Sequence, residues 1–160
     1  MSGAALPPFQ SFLDAHREPV WRLLVSMVGA VEAEDCFQET FMAALRAYPR
    51  LRPGSNLRAW VLTIAHRKAL DAYRGRVRRA VPVAEPEAVD ERAAAMPDGR
   101  DERLWAAVRG LPPRQRSAVV LRYVGDLPHR EIAAAIGCSE QAARRSRHEG
   151  LQKVREAVVA

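Results

Sequence analysis

The sequence predicts an all-α chain, built as two small helical domains joined by a flexible acidic linker. Three observations carry that reading. Apolar residues make up 48% of the chain and aromatics only 6%, with little of the Val/Ile/Thr/Tyr alternation that strands favour, so helical cores are affordable and sheets are not. Charge divides the 160 residues into blocks: 12 Lys/Arg against 7 Asp/Glu over 1–80, 2 against 7 over 81–102, and 11 against 5 over 103–160. The acidic block, VPVAEPEAVDERAAAMPDGRDE, has three prolines, one glycine and no sustained apolar period, the composition of a segment that cannot bury enough surface to fold. The expected domains are therefore 1–80 and 103–160, with 81–102 as linker.

In the first domain, Phe9, Phe12, Leu13, Val20, Leu23, Leu24 and Met27 recur at helical spacing until Gly29 closes the pattern. A second helix is expected over 31–47. Its acids Glu32, Glu34 and Asp35 lie near the positive N-terminal end, and Phe37, Phe41, Ala44 and Leu45 form an apolar face. Pro49 and Pro53-Gly54 then break the chain into a loop beside Arg46, Arg50 and Arg52, after which Ser55 or Asn56 can cap a third helix. That helix carries Leu57, Trp60, Val61, Ile64, Ala65 and Leu70 on one side. Its other side and tail carry Arg58, Arg67, Lys68, Arg74, Arg76, Arg78 and Arg79, an extended face for an anion.

The second domain reads as four helices over 104–109, 112–124, 128–135 and 139–157. Pro128 fits a helix start, Ile132 and Ile136 share a face, Gly137 permits a left-handed turn, and Ser139 can cap the next helix. This is helix-turn-helix spacing, in which the N-terminal half of the second helix enters the major groove. Glu140, Gln141, Arg144, Arg145 and His148 then fall on the reading face, where Arg can fork onto guanine and Gln onto adenine. Helix pairs with a glycine turn also occur in plain bundles; the cluster Arg144, Arg145, Arg147 favours DNA.

Two basic bodies around an acidic connector point to a polyanion, DNA or RNA. Fully extended, the connector reaches roughly 73 Å, about two turns of duplex at ~34 Å each, so the domains can bind separated sites and gain effective concentration from their tether. The start MSGAALPPF lacks the charged-then-apolar order of a secretory signal, and no apolar run approaches the ~18 residues that span a bilayer. A cytoplasmic protein is expected. Cys36 and Cys138 lie in separate domains and read as free packing thiols. His16, His66, His129 and His148 are scattered, His148-Glu149 lacks the second histidine of a zinc-protease helix, and no phosphate-cradling glycine loop occurs. Neither an enzyme nor a bound metal or cofactor is expected.

Four segments in order, DCFQETF (35–41), NLRAWVLTIAHRKALDAYR (56–74), LPPRQRSAVVLRYV (111–124) and LPHREIAAAIGCSEQAARR (127–145), resemble the successive signatures of extracytoplasmic-function sigma factors, of the sigma-70 family of bacterial RNA polymerase subunits. The resemblance covers nearly everything except the linker. It implies that 1–80 is sigma region 2 and 103–160 sigma region 4. It further implies that Asp35, Gln38, Glu39 and Phe41 dock on the clamp helices of the polymerase beta-prime subunit. The loop 49–56 and the following helix would capture and help melt the minus-ten element, through Arg50, Arg52, Asn56, Arg58, Arg67, Lys68, Asp71, Arg74 and Arg78. The C-terminal module would bind the minus-thirty-five element through Ser139, Glu140, Gln141, Arg144, Arg145, Arg147 and His148, and touch the beta flap. Control by a separate anti-sigma factor is also implied.

Asp35 and Glu39, one turn apart, suit arginines on a partner helix, although the same pair is ordinary on any helix surface. Asp71 and Arg74 match a family pair that would orient one another. Trp60 reads as core rather than a base-stacking wedge; Tyr73 reads equally well as either. Two positions depart from the family pattern. Arg67 stands where many relatives carry an asparagine near the flipped-base pocket, and Arg147 stands where an apolar residue usually faces the bundle, so its stem would run along the core and its head reach a phosphate. The chief rival is a helix-turn-helix repressor or activator working without polymerase, which leaves the basic third helix and DCFQETF unexplained.

Overall fold

The computed structural model describes residues 5–79 and 102–159, and among these it contains seven α-helices and no strand. The linker expected over 81–102 lies outside the described residues except for Glu102, which opens α4 and so belongs to the second module.

The first module is α1 (Phe9–Val28), α2 (Ala30–Ala47), a 3-10 turn (Tyr48–Arg50) and α3 (Leu57–Arg79), each helix packed on the other two. A single residue joins α1 to α2. Gly29 sits at φ +84°, a left-handed conformation that glycine adopts without penalty, so one helix reverses into the next with no loop. Asn56, not Ser55, caps α3: its Oδ1 accepts the Ala59 N–H at 3.1 Å, while the Ser55 hydroxyl donates to the Arg52 carbonyl. Phe12, Leu23, Leu24, Val61 and Leu62 are fully buried between the three helices. Trp60 packs against Phe12 and Tyr48, as a core residue would. The Tyr48 hydroxyl donates to the Pro7 carbonyl and so fastens the start of the chain to the end of α2.

The second module is α4 (Glu102–Arg109), α5 (Pro113–Tyr123), α6 (His129–Ile136) and α7 (Glu140–Val159). Leu121, Ile132 and Ala143 are wholly buried at its centre. α5 and α7 approach closely at Gly150, where an added Cβ would lie 2.8 Å from Val119 Cγ2. Between α6 and α7, Gly137 adopts φ +79°, and Ser139 Oγ accepts the Ala142 N–H at 3.0 Å, which makes the left-handed turn and the cap that the sequence predicted.

The modules touch: α1 packs on α4 and α5, and α3 on α6.

Candidate polymerase and promoter surfaces

On α2, Val31, Asp35, Gln38, Met42 and Leu45 follow one another at i, i+4, i+7, i+11 and i+14, and therefore share one face. All five are exposed, with Glu34 and Glu39 at its margins. The three apolar members are 67%, 51% and 49% exposed for Val31, Met42 and Leu45. Sequence reading missed them as surface residues and placed Leu45 on the buried side. The signal was present in the 3.6-residue period, which puts Leu45 beside Gln38 and Met42. Phe41 corrects an expectation in the other direction. It is 6% exposed, with its ring against those of Phe12 and Phe37, so it holds α2 in the core and cannot offer its face to a partner.

α3 divides the residues expected at the minus-ten element. Arg67, Asp71, Arg74 and Arg78 are exposed and fall at i, i+4, i+7 and i+11, a single strip. Arg50, Arg52 and Asn56 are exposed in the preceding turn and loop. Lys68 is half-buried, and its backbone carbonyl accepts the Cys36 thiol. Arg58 lies outside the strip. It projects toward the second module, where Nε and Nη2 donate to the Gly125 carbonyl at 3.1 and 3.0 Å. Asp71 and Arg74 form no ion pair among the described residues; the cross-helix pair in this region is Arg76 with Glu32 at 3.3 Å. Tyr73 lies under the guanidinium of Arg116, 5.0 Å from ring centroid to Cζ, and packs rather than awaits a base.

On α7, Glu140, Gln141, Arg144, Arg145 and His148 are exposed, with Ser139 just before the helix. Arg144 is paired to Glu140 at 2.8 Å and Arg145 to Glu149 at 3.2 Å, each one helical turn away. Such exposed pairs contribute little, roughly 0.3–0.5 kcal/mol, so phosphate or a base edge can displace the carboxylates. Arg147 differs. It is half-buried, donates to the Tyr123 hydroxyl at 3.1 Å, and has a buried Nε without a partner, so its head is held by α5 instead of standing free for phosphate.

Neither cysteine is paired. Burial, reinforced by Glu39 and further carboxylates on α2 and α3, pushes the Cys36 thiol up to about 11. No group of three or more His, Cys, Asp or Glu side chains among the described residues could hold a metal ion, and no helix there is long and apolar enough to cross a membrane.

Comparison with known proteins meets this arrangement module by module. A family model of Sigma-70 region 2 matches residues 12–79, and one of Sigma-70 region 4 matches residues 101–154. Over 163 aligned residues the chain is 37% identical to the RNA polymerase sigma factor CarQ of Myxococcus xanthus, covering 92% of this chain and 87% of CarQ. It is 34% identical to the ECF RNA polymerase sigma factor SigD of Mycobacterium tuberculosis, covering 92% of this chain and 76% of SigD. The chain belongs to the extracytoplasmic-function sigma factors of the sigma-70 family.

The sigma factor's fold is also found in solved structures. That of RpoE in complex with the anti-sigma factor NepR, from Bartonella quintana, matches with a TM-score of 0.76 at 21% identity over 95% of this chain and 97% of that one. CnrH in complex with the cytosolic domain of CnrY matches with a TM-score of 0.68 at 22% identity, over 94% and 86%. Sigma factors are transcription initiation factors that give RNA polymerase its promoter. A stand-alone helix-turn-helix regulator would account for α6 and α7 but not for a region 2 match across all of α2 and α3.

Proposed function

We propose that residues 1–80 and 103–160 of this sigma factor divide its work, around the linker 81–102. The α2 face docks on the clamp helices of core polymerase: Asp35 and Glu39 offer carboxylates to arginines, Gln38 adds an amide, and Val31, Met42 and Leu45 bury apolar area beside them. The loop residues Arg50, Arg52 and Asn56 and the strip Arg67, Asp71, Arg74 and Arg78 hold the minus-ten element. Ser139, Glu140, Gln141, Arg144, Arg145 and His148 read the minus-thirty-five element in the major groove. The chain works in the cytoplasm, makes no bond itself and needs no cofactor. A separate anti-sigma factor controls it, as the pairing of RpoE with NepR suggests by analogy.

One observation carries the reading: an exposed mixed acidic and apolar face on α2, a basic strip on α3 and a capped reading helix after a left-handed turn occur on one chain. The decisive experiment is transcription by sigma-free core polymerase on fragmented genomic DNA, with and without the purified chain, mapping transcript starts. New starts sharing two spaced upstream elements are the expected result. Absence of new starts, with discrete duplex sites bound by a dimer of the chain alone, would replace this reading with that of a repressor or activator.

A further inference from the structure

Tyr123 is the last residue of α5, and its side chain is 52% exposed. Arg147 Nη1 donates to its hydroxyl from α7 at 3.1 Å. A guanidinium carries only donors, so the hydroxyl accepts this bond and keeps its own proton to give to a third group.

The position of Arg147 on α7 decides where that hydroxyl stands. At about 100° per residue, Arg147 lies between the buried stripe of Ala143, Ser146 and Gly150 and the exposed face that includes Glu140 and Arg144. It therefore marks the margin of the reading face. A helix about 10–12 Å across fills a major groove about 12 Å wide, so groups at the margin of its inward face meet the groove wall, which is phosphodiester backbone. Tyr123, tied to that margin from α5, is brought to the wall.

The surroundings are cationic. Burial holds the half-buried His129, the first residue of α6, below the usual histidine pKa, and Arg147, Arg144 and Arg122 lower it further against the opposing pull of Glu140. Three guanidiniums from α5 and α7 thus act on one imidazole. Two buried polar atoms here, His129 Nε2 and Arg147 Nε, have no partner. The carboxylates at hand are weakly held: Asp126 stands 4.0 Å from Arg122 and is 85% exposed, and Glu140 on Arg144 is 49% exposed. Positive charge gathered in this way favours an incoming anion.

We propose that the Tyr123 hydroxyl, oriented by Arg147, donates a hydrogen bond to a backbone phosphate of the DNA at the wall of the groove that α7 enters. Tyr123 is the contact, and Arg147 is a positioning residue that occupies a lone pair of the hydroxyl and polarises its O–H. The bond carries no base information; it fixes the register of α7 in the groove. It accounts for a cation at position 147, where an apolar side chain would pack but could not orient a hydroxyl. The proposal rests on the major-groove reading of α7 given above.

The test uses the full chain bound to core polymerase, with a promoter duplex taken from transcript mapping. Tyr123→Phe, which removes one oxygen and keeps the ring, is expected to weaken binding about tenfold on that duplex and on every single-base variant of its upstream element. Arg147→Met, which keeps an apolar stem, should cause a similar loss, and the two together little more than either. Replacing backbone phosphates one at a time by uncharged methylphosphonates should find one position at which Tyr123→Phe has no further effect. A loosened module would instead lose affinity whichever phosphate is replaced. Full affinity in Tyr123→Phe, a loss confined to particular bases, or a loss that no single phosphate absorbs would each overturn the proposal. Arg144→Ala in the same assay checks the reading beneath it. If that variant also binds at full strength, α7 does not sit in the groove; if it alone loses affinity, only the Tyr123 contact fails.

Discussion

His66 Nε2 and Ser117 Oγ lie 2.7 Å apart, joining two modules whose sequences are separated by the whole acidic block, and the other ring nitrogen of His66 is buried with no partner. Burial, with help from Arg67 and Arg74 on the same helix, lowers the His66 pKa to about 4 from 6.5. The imidazole is therefore neutral in the folded chain at pH 7. Ser117 meets it from α5 and supplies no negative charge that would favour the imidazolium.

Acid should loosen the fold through this residue. The unfolded chain takes up a proton near pH 6.5 and the folded one only near 4, so unfolding binds protons in between. The stabilisation is complete above pH 6.5 and is lost as pH falls toward 4; by pH 5 the loss is about 2 kcal/mol. Urea unfolding at pH 7.0, 6.0 and 5.0 should show this slope, and His66→Gln should remove most of it. An unchanged slope in that variant would place the titrating group elsewhere.

Asp35→Ala with Glu39→Ala should weaken binding to core polymerase at least tenfold while leaving a minus-thirty-five duplex bound as before. Met42→Glu should act in the same direction, since it places a charge in the apolar part of the same face. Competition binding with labelled core polymerase reads both. Unaltered polymerase affinity in the double variant would dismiss the α2 face as the docking surface.

Arg144→Ala should cost about 1–3 kcal/mol of minus-thirty-five binding and relax preference at one base position, because its present partner Glu140 is a weak exposed pair. Arg147→Ala should alter base preference little, its head being engaged with Tyr123. Binding to a panel of single-base duplex variants separates the cases: a uniform loss for Arg144→Ala would mark a phosphate contact.

Gly150→Ala should destabilise the second module by about 1–3 kcal/mol, since the new methyl meets Val119 Cγ2 at 2.8 Å and the Gln115 carbonyl at 3.3 Å across the α5–α7 contact. Chemical denaturation gives the value. A change below about 0.5 kcal/mol would mean that α5 and α7 separate easily.

Thiol alkylation at pH 8 should modify Cys138, which is half-buried, well before Cys36, which is 3% exposed, held to the Lys68 carbonyl and raised in pKa to about 11. Mass spectrometry of the labelled peptides reads the order. Equal rates would show that α2 opens readily from α3.

The sequence by itself determined the helices, their breaks and the chemistry of their surfaces. Gly29, Pro49, Gly137 and Ser139 act through backbone geometry and local hydrogen bonds, and periodic apolar residues mark most of the buried faces, the exposed Val31, Met42 and Leu45 of α2 excepted, so these features need little knowledge of what packs where. The same locality made the exposed basic strip of Arg67, Arg74 and Arg78 readable, together with the exposed polar face of α7. What only the tertiary structure decided were the assignments that depend on a neighbour distant in sequence. Phe41 went to the core because Phe12 and Phe37 meet it there, Arg58 turned from the basic strip because the Gly125 carbonyl lies across the module boundary, and Arg147 was held by Tyr123. A charged or aromatic side chain on a helix has one direction fixed by its position in the turn, but its partner is fixed by which element packs against that direction. That contact is made only when the helices pack.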